Sequence, residues 1–252
     1  MELTPMVFLI VCPLVFLAGL VDAIGGGGGL ISLPAYILAG VPMHAAVATN
    51  KLSSATGTLI STIRLCLHSK VDFLLAVPAI FLAYMGSSMG ARLSMLIQES
   101  VLKAVLLVIL PITAFFVIRK DALSSGTEGS CSRRRQLIIA WMAAVLIGLY
   151  DGFYGPGTGT FYIIIFMSFA KMTTMEAAVN TKLLNLTSNL AALVTFLLHG
   201  QVWIMLGLAA SVFSIAGHYL GAGMVLKNGS RVVRPIILVV LCLLFIKVLS
   251  GI

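Results

Sequence analysis

Two lysines stand inside apolar stretches of this chain, Lys51 in "ATNKLSSATGTL" and Lys182 in "VNTKLLNLTSNL". A charged side chain at membrane depth costs at least about 2.5–3.5 kcal/mol on insertion scales and marks a functional site by default. Their neighbours repeat. Lys182, Asn185 and Asn189 follow at i, i+3 and i+7, one face of a helix. Lys51, Ser54 and Thr58 keep the same spacing, and Asn50 and Asn180 add amides close by. A cation among hydrogen-bonding side chains suits an oxyanion. An ion pair with Asp22 or Asp151 is the structural alternative, and the two readings are compatible.

The second signal is glycine. "GLVDAIGGGGG" begins at residue 19 and is matched by "GLYDGFYGPGTG" at residue 148, which aligns Asp22 with Asp151. Each glycine in a helix interior costs about 1 kcal/mol relative to alanine, so these runs break their helices. Non-helical backbone at membrane depth survives only buried in protein or beside a wet cavity. Free N–H groups at the start of the following helix attract anions. Gly26, Gly27, Gly28, Gly155 and Gly157 are therefore the predicted anion cradle. Glycine also lets helices approach closely, which is the plainer account of a single run. Asp22 and Asp151 read as counter-ions, proton carriers or caps of the glycine loop. A lysine helix follows each tip about 30 residues later, which poses the question whether Asp22 answers Lys51 as structural counter-ion or mobile proton carrier.

Other polar residues read more plainly. Glu176 sits early in its helix, where a carboxylate complements the macrodipole. His68 and His199 fall at segment ends, where helix-end packing is favoured over a titrating gate. "GSSMG" (86–90) fits G-x-S-x-G with Ser88 as nucleophile, but its repeat partner "GHYLG" (217–221) keeps only the glycines. What persists is G-x-x-x-G, a helix-packing motif, and the strand–turn–helix of an esterase is missing. Neither glycine run ends in the G-K-[ST] of a phosphate-binding loop. Cys12, Cys66, Cys131 and Cys242 form no C-x-x-C pair, so no metal, cofactor or disulfide framework is expected.

The elements that must position these groups are membrane helices. Of 252 residues, 60% are hydrophobic and 10% charged, against about 25% charged in soluble domains. Mean hydropathy is +1.11. The net charge of +8 forms no basic stripe, which argues against nucleic acid. The first 24 residues imitate a signal peptide, but Glu2 replaces the basic n-region and glycines follow, so an uncleaved first span is expected.

The chain is written twice. After the glycine motif, Lys51 aligns with Lys182, His68 with His199, Gly86 with Gly217, Gly90 with Gly221 and Lys103 with Arg234. The first repeat covers 1–118 and the second 137–252, joined by the basic linker 119–136. In each, an apolar segment (6–24; 137–152) runs into the glycines. A short one follows (30–41; 160–170), too short for about 30 Å of hydrocarbon. Three longer segments complete each repeat: 43–67, 71–96 and 100–118, then 174–198, 202–226 and 232–249. The fold expected is an all-α polytopic membrane protein of two inverted-topology repeats, each a glycine-tipped helical hairpin followed by three transmembrane helices.

Charge selects the inverted form. With the linker cytoplasmic, 11 basic residues fall inside: Arg64, Lys70, Arg119, Lys120, Arg133, Arg134, Arg135, Lys171, Lys227, Arg231 and Arg234. Arg92 and Lys103 fall outside, and Lys51, Lys182 and Lys247 lie in or near the membrane. Parallel halves would give 7 inside against 6 outside. The positive-inside rule prefers the first, with both termini outside the cytoplasm. Inverted repeats with broken helices are the build of many secondary transporters, whose sites lie near the midplane.

The motifs "GLVDAIGGGGGLISLPA", "ATNKLSS", "YDGFYGPGTGTFY" and "TKLLNLTSN" resemble the bacterial sulfite exporter TauE/SafE family, the toluene sulfonate uptake permeases, and most closely its YfcA-like branch. The resemblance covers nearly the whole chain in order. It implies a bacterial inner-membrane permease for small sulfur-containing anions such as sulfite, thiosulfate, sulfoacetate or sulfonates. It supplies no set of site residues. The expected partners are that anion, the bilayer and protons as candidate coupling ion. A passive anion channel and an intramembrane enzyme are the alternatives, and Ser88 would be the nucleophile of the second.

Overall fold

The structure, a computed structural model, describes residues 4–102, 104, 108 and 131–228. Eight helices run through them: α1 (Pro5–Gly25), α2 (Gly29–Leu38), α3 (Met43–Cys66), α4 (Phe73–Leu96), α5 (Arg133–Phe153), α6 (Thr158–Ser168), α7 (Thr174–Leu198) and α8 (Ile204–Asn228). The described residues contain no strand. Helix lengths repeat between halves: 21, 10, 24 and 24 residues, then 21, 11, 25 and 25. The predicted spans 100–118 and 232–249 and linker residues 119–130 lie outside the described residues apart from a few positions.

Among the described residues, five helices are long and apolar enough to cross a membrane: α1, α4, α5, α7 and α8. The protein is thus a multi-pass membrane protein. α2 and α6 are the short apolar helices, each the return limb of a hairpin begun by α1 or α5. α3 is as long as a span yet buries Asn50, Lys51, Ser53, Thr58, Ser61 and Thr62. It escapes lipid because α1, α2, α7 and α8 pack around it, as α3, α4, α5 and α6 pack around α7. The two helices run antiparallel: Lys51 of α3 meets Asn189 of α7, while Thr62 bonds the carbonyl of Lys182 at 3.2 Å.

Helix ends follow local chemistry. Pro5 opens α1, where a missing N–H costs nothing. Thr173 and Glu176 form a reciprocal capping box at the start of α7, so Glu176 satisfies backbone donors as well as complementing the dipole. α5 begins at Arg133, four residues before its expected apolar segment, because Ser132 is its N-cap and Arg133 pairs with Asp72 of the α4 cap. His68 and His199 bond the carbonyls of Arg64 and Thr195, one turn back in their own helices.

Large apolar side chains face outward, among them Phe81, Met85, Met142, Leu146, Met205 and Val212. Small residues face inward, and two close crossings result. A Cβ at Gly90 of α4 would lie 2.0 Å from the carbonyl oxygen of Leu149 of α5. At Gly217 of α8 it would lie 2.2 Å from that of Phe16 of α1. Gly86–Gly90 and Gly217–Gly221 are repeat partners, so G-x-x-x-G serves the same contact twice. Ser88 lies within helix α4, far from the strand–turn–helix an esterase serine needs.

Candidate functional site

The two hairpin tips meet inside the protein. α1 ends at Gly26 with φ 74°, and the equivalent Gly155 has φ 100°; such backbone is costly for any residue with a Cβ. A Cβ at Gly26 would lie 2.4 Å from the carbonyl carbon of Gly159 in the other tip. Thr160 ties them, its N–H donating to Gly26 O at 3.3 Å and its hydroxyl to Gly25 O at 2.9 Å. Part of the expected N–H cradle is thereby occupied within the tips. Gly28 N–H also donates inwardly, to the Asp22 carboxylate at 3.2 Å.

Four buried charges surround the tips, and their pairing crosses between the halves. Lys51 lies 2.8 Å from Asp151, and Lys182 lies 2.8 Å from Asp22. The expected partnership of Asp22 with Lys51 is corrected: sequence order sets those two together, but α3 and α7 exchange lysines between tips. Lys51 also donates to Asn189 Oδ1 at 3.1 Å, and Asn189 Nδ2 donates to Asn185 O at 2.8 Å. Thr158 at the start of α6 donates to Asp151 Oδ1 at 2.9 Å, and Ser188 donates to Oδ2. Lys182 donates a second time, to the backbone carbonyl of Asp22.

Between these groups lies a small polar cavity. Lys51, Asn50, Ser54, Thr58, Asn185 and Asn189 line one side; Asp22, Asp151, Thr158 and the tip glycines Gly26, Gly29, Gly155 and Gly159 line the other. A Cβ at Gly155 would lie 2.9 Å from the Lys51 ammonium, so glycine keeps that cation open to the cavity. Two polar atoms that bound or flank it, Asn50 Oδ1 and Thr58 Oγ1, are buried without a hydrogen-bond partner. An orphaned buried polar group costs about 1–3 kcal/mol, which a polar guest would offset.

Other predicted residues fall elsewhere. Asn180 bonds the carbonyl of Glu176 at 2.9 Å and stands apart from the cavity lining. Gly157 is the left-handed N-cap of α6, and Gly27 lies within the first tip. Neither lines the cavity, whereas Gly28 lines a second, adjoining one. Sequence reasoning passed over Thr158, Ser188 and His218. His218 Nε2 lies 3.2 Å from Asp22 Oδ2, and the ring is 2% exposed. The signal for it was present in the repeat: position 218 aligns with Ser87, and a histidine opposite a serine in a buried frame is a departure worth following.

The family model described as sulfite exporter TauE/SafE matches residues 11–248. The chain is 34% identical over 233 residues to the probable membrane transporter protein YfcA of Escherichia coli K12, covering 92% of this chain and 86% of that one. It is 31% identical to the probable membrane transporter protein ORF9 of a Sinorhizobium species, covering 94% and 90%. With a probable membrane transporter protein of Haemophilus influenzae Rd it shares 33% identity, covering 89% and 87%. No solved structure matches it significantly.

Proposed function

The chain belongs to the sulfite exporter TauE/SafE family of membrane transporters, and from that premise we propose that it is a secondary transporter for small sulfur-containing anions. Sulfite, thiosulfate, sulfoacetate and sulfonates are the cargo class. One observation supports the reading: a cavity presents the Lys51 ammonium among amides and hydroxyls, and the Thr58 hydroxyl on its lining is without a hydrogen-bond partner and can donate to an anion. An oxyanion supplies acceptors to the ammonium, the amide N–H groups and the hydroxyls.

The halves are inverted relative to one another, with the basic linker cytoplasmic, both termini outside, and the protein in the bacterial inner membrane. The antiparallel course of α3 and α7, which are repeat partners, supports the inversion. Alternating access is a movement of one half against the other. It is driven by an ion gradient, since the chain has no nucleotide-binding loop. Lys51 binds the anion most directly, with Asn50, Ser54, Asn185 and Asn189 around it. Lys182, Asn180 and glycines 26, 27, 28, 155 and 157 shape or support the site. Asp22 and Asp151 are the counter-ions the cargo competes with, and no residue acts as a catalyst.

Uptake of labelled sulfite, thiosulfate and a sulfonate into proteoliposomes tests this. Lys51→Met and Lys182→Met are expected to abolish transport. Normal transport by both variants overturns the site assignment. Counterflow is expected too, and its absence alongside rapid passive flux would identify a channel.

A further inference from the structure

The two lysine–aspartate pairs differ in what stands on the far side of the carboxylate. Asp151 is supported by hydroxyls: Ser188 donates to its carboxylate, and Ser87 donates to the carbonyl of Ser188. The equivalents of Ser87 and Ser188 beside Asp22 are His218 and Gly57. The exchange is steric as well as chemical. A Cβ at Gly57 would lie 2.3 Å from His218 Nδ1, and one at Gly19 would lie 2.8 Å from it. Two neighbouring helices thus present glycine to the ring, which leaves a slot of imidazole size.

Proton count is the telling feature. His218 Nδ1 lies 2.9 Å from the carbonyl oxygen of Ser214, an acceptor only. Its Nε2 lies 3.2 Å from Asp22 Oδ2, the oxygen that also accepts from Lys182. A neutral imidazole has one N–H and can serve one of these. Serving both takes one more proton. The Ser214 hydroxyl is the weaker neighbour of Nδ1, at 3.4 Å. Asp151 meets hydroxyl donors instead, which need no added proton.

Charge gives the proton its purpose. Lys51, Lys182, Asp22 and Asp151 sum to zero, so an anion entering the cavity has no net charge to balance it. We infer that His218, shared with Asp22, is the proton-loading site of the transporter, and that one proton enters with each singly charged anion. This rests on the transport reading above. Loading moves a proton from hydronium in the second cavity to the imidazole ring, leaving water; release reverses the step on the other side. His218 and Asp22 both line that cavity, with Asn50, Ser32, Ser53 and Ser54. The loaded ring bridges Ser214 O and Asp22, frees Lys182 from being the sole cation at that carboxylate, and gives the combined site one positive charge for the cargo.

The other charges near the ring are accounted for. α1 brings Asp22, and α7 brings Lys182 through that carboxylate. α3 meets the ring with Gly57; its Lys51 is held by Asp151, and its Arg64 lies over the ring of Tyr219, 4.4 Å from its centroid. α8 itself adds Lys227, at its far end.

Proteoliposomes with an entrapped pH dye and methanesulfonate, a sulfonate that stays singly charged at every pH used, test the coupling. An inward methanesulfonate gradient is expected to carry protons inward, with uptake rising as the external pH is lowered. In His218→Gln the protons moved per sulfonate are expected to fall towards none and the pH dependence to flatten. The paired variant Gly57→Ser with His218→Ser copies the serines of the other half and refills part of the space the imidazole leaves; the same loss is expected. An unchanged proton count and pH profile in either folded variant overturns the proposal. Nitrogen-15 spectra of histidine-labelled protein, assigned with His218→Gln, need no cargo. Both His218 ring nitrogens are expected to carry protons in the loaded form, and a single neutral tautomer at every pH where the protein stays folded overturns the proposal. A doubly protonated His218 without uptake of sulfite, thiosulfate or sulfonates overturns the cargo reading and leaves the proton site standing.

Discussion

Lys182, in the second half of the chain, holds the carboxylate of Asp22 in the first at 2.8 Å, as Lys51 of the first half holds Asp151 of the second. Each half therefore neutralises the other. A pair of this kind, with both lysines and Asp151 at most 3% exposed at the side chain, is expensive to assemble and more expensive to break singly. Under the proposed transport cycle, cargo that takes over the Lys51 ammonium loosens Asp151, so occupancy of the cavity and the seam between the halves are one linked event.

Lys51→Met is expected to leave Asp151 buried and unpaired and to cost about 3–5 kcal/mol. Asp151→Asn should cost less, because Thr158 and Ser188 still find a hydrogen-bonding amide. Combining the two removes both charges and is expected to recover most of the lost stability without recovering transport. Thermal unfolding in detergent and sulfite uptake, measured on all three, check this. Additive destabilisation in the double variant would show that the pair is not the interaction that matters.

The five-glycine run is expected to respond unequally. A Cβ at Gly27 would meet nothing closer than 3.7 Å, whereas at Gly26 it would lie 2.4 Å from the opposite tip and at Gly28 2.6 Å from Ala18 O. Gly27→Ala should change stability by no more than about 0.5 kcal/mol. Gly26→Ala should add about 1–2 kcal/mol of left-handed backbone strain to that clash. Folded yield and melting temperature separate the two.

Ser88→Ala is expected to leave transport and folding intact, since helix packing here depends on the flanking glycines. Gly90→Ala, which would drive a Cβ to 2.0 Å from Leu149 O, should disrupt the α4–α5 crossing. Loss of function on Ser88→Ala with a normal fold would revive an enzymatic reading.

Thr173→Ala removes the hydroxyl half of the capping box on α7 and is expected to cost about 0.5–2 kcal/mol. The box lies at the exposed end of the helix, so the affinity for anion should not move. A melting curve and an uptake assay on the same preparation decide it.

Most of the architecture was legible because the helix-breaking glycines and the apolar segment lengths are local properties, and the repeat allowed each to be read twice. Lys51, Asn50, Ser54, Asn185 and Asn189 were found as a group because helical periodicity puts them on matching faces, and all five line one cavity. The exchange of lysine partners was not legible. Spacing along the chain orders Asp22 before Lys51, but which aspartate a lysine reaches depends on how two antiparallel helices pass each other, and that is a property of packing. Asn180 shows the same limit from the other side: its type suggested the site, but a bond to Glu176 O one turn back holds it away. Thr158 and Ser188 gave no signal because hydroxyls are common in such helices, and His218 gave one only through its mismatch with Ser87.

The crossed ion pairs also bear on how the protein is made. Asp22 and Lys51 enter the membrane early, while their partners Asp151 and Lys182 have yet to be synthesised. At about 5–20 residues per second, the first half waits on the order of ten seconds before both of these partners exist. A nascent chain halted after the first repeat has no route to the finished arrangement of either charge. The second repeat is thus a folding partner that the first must await.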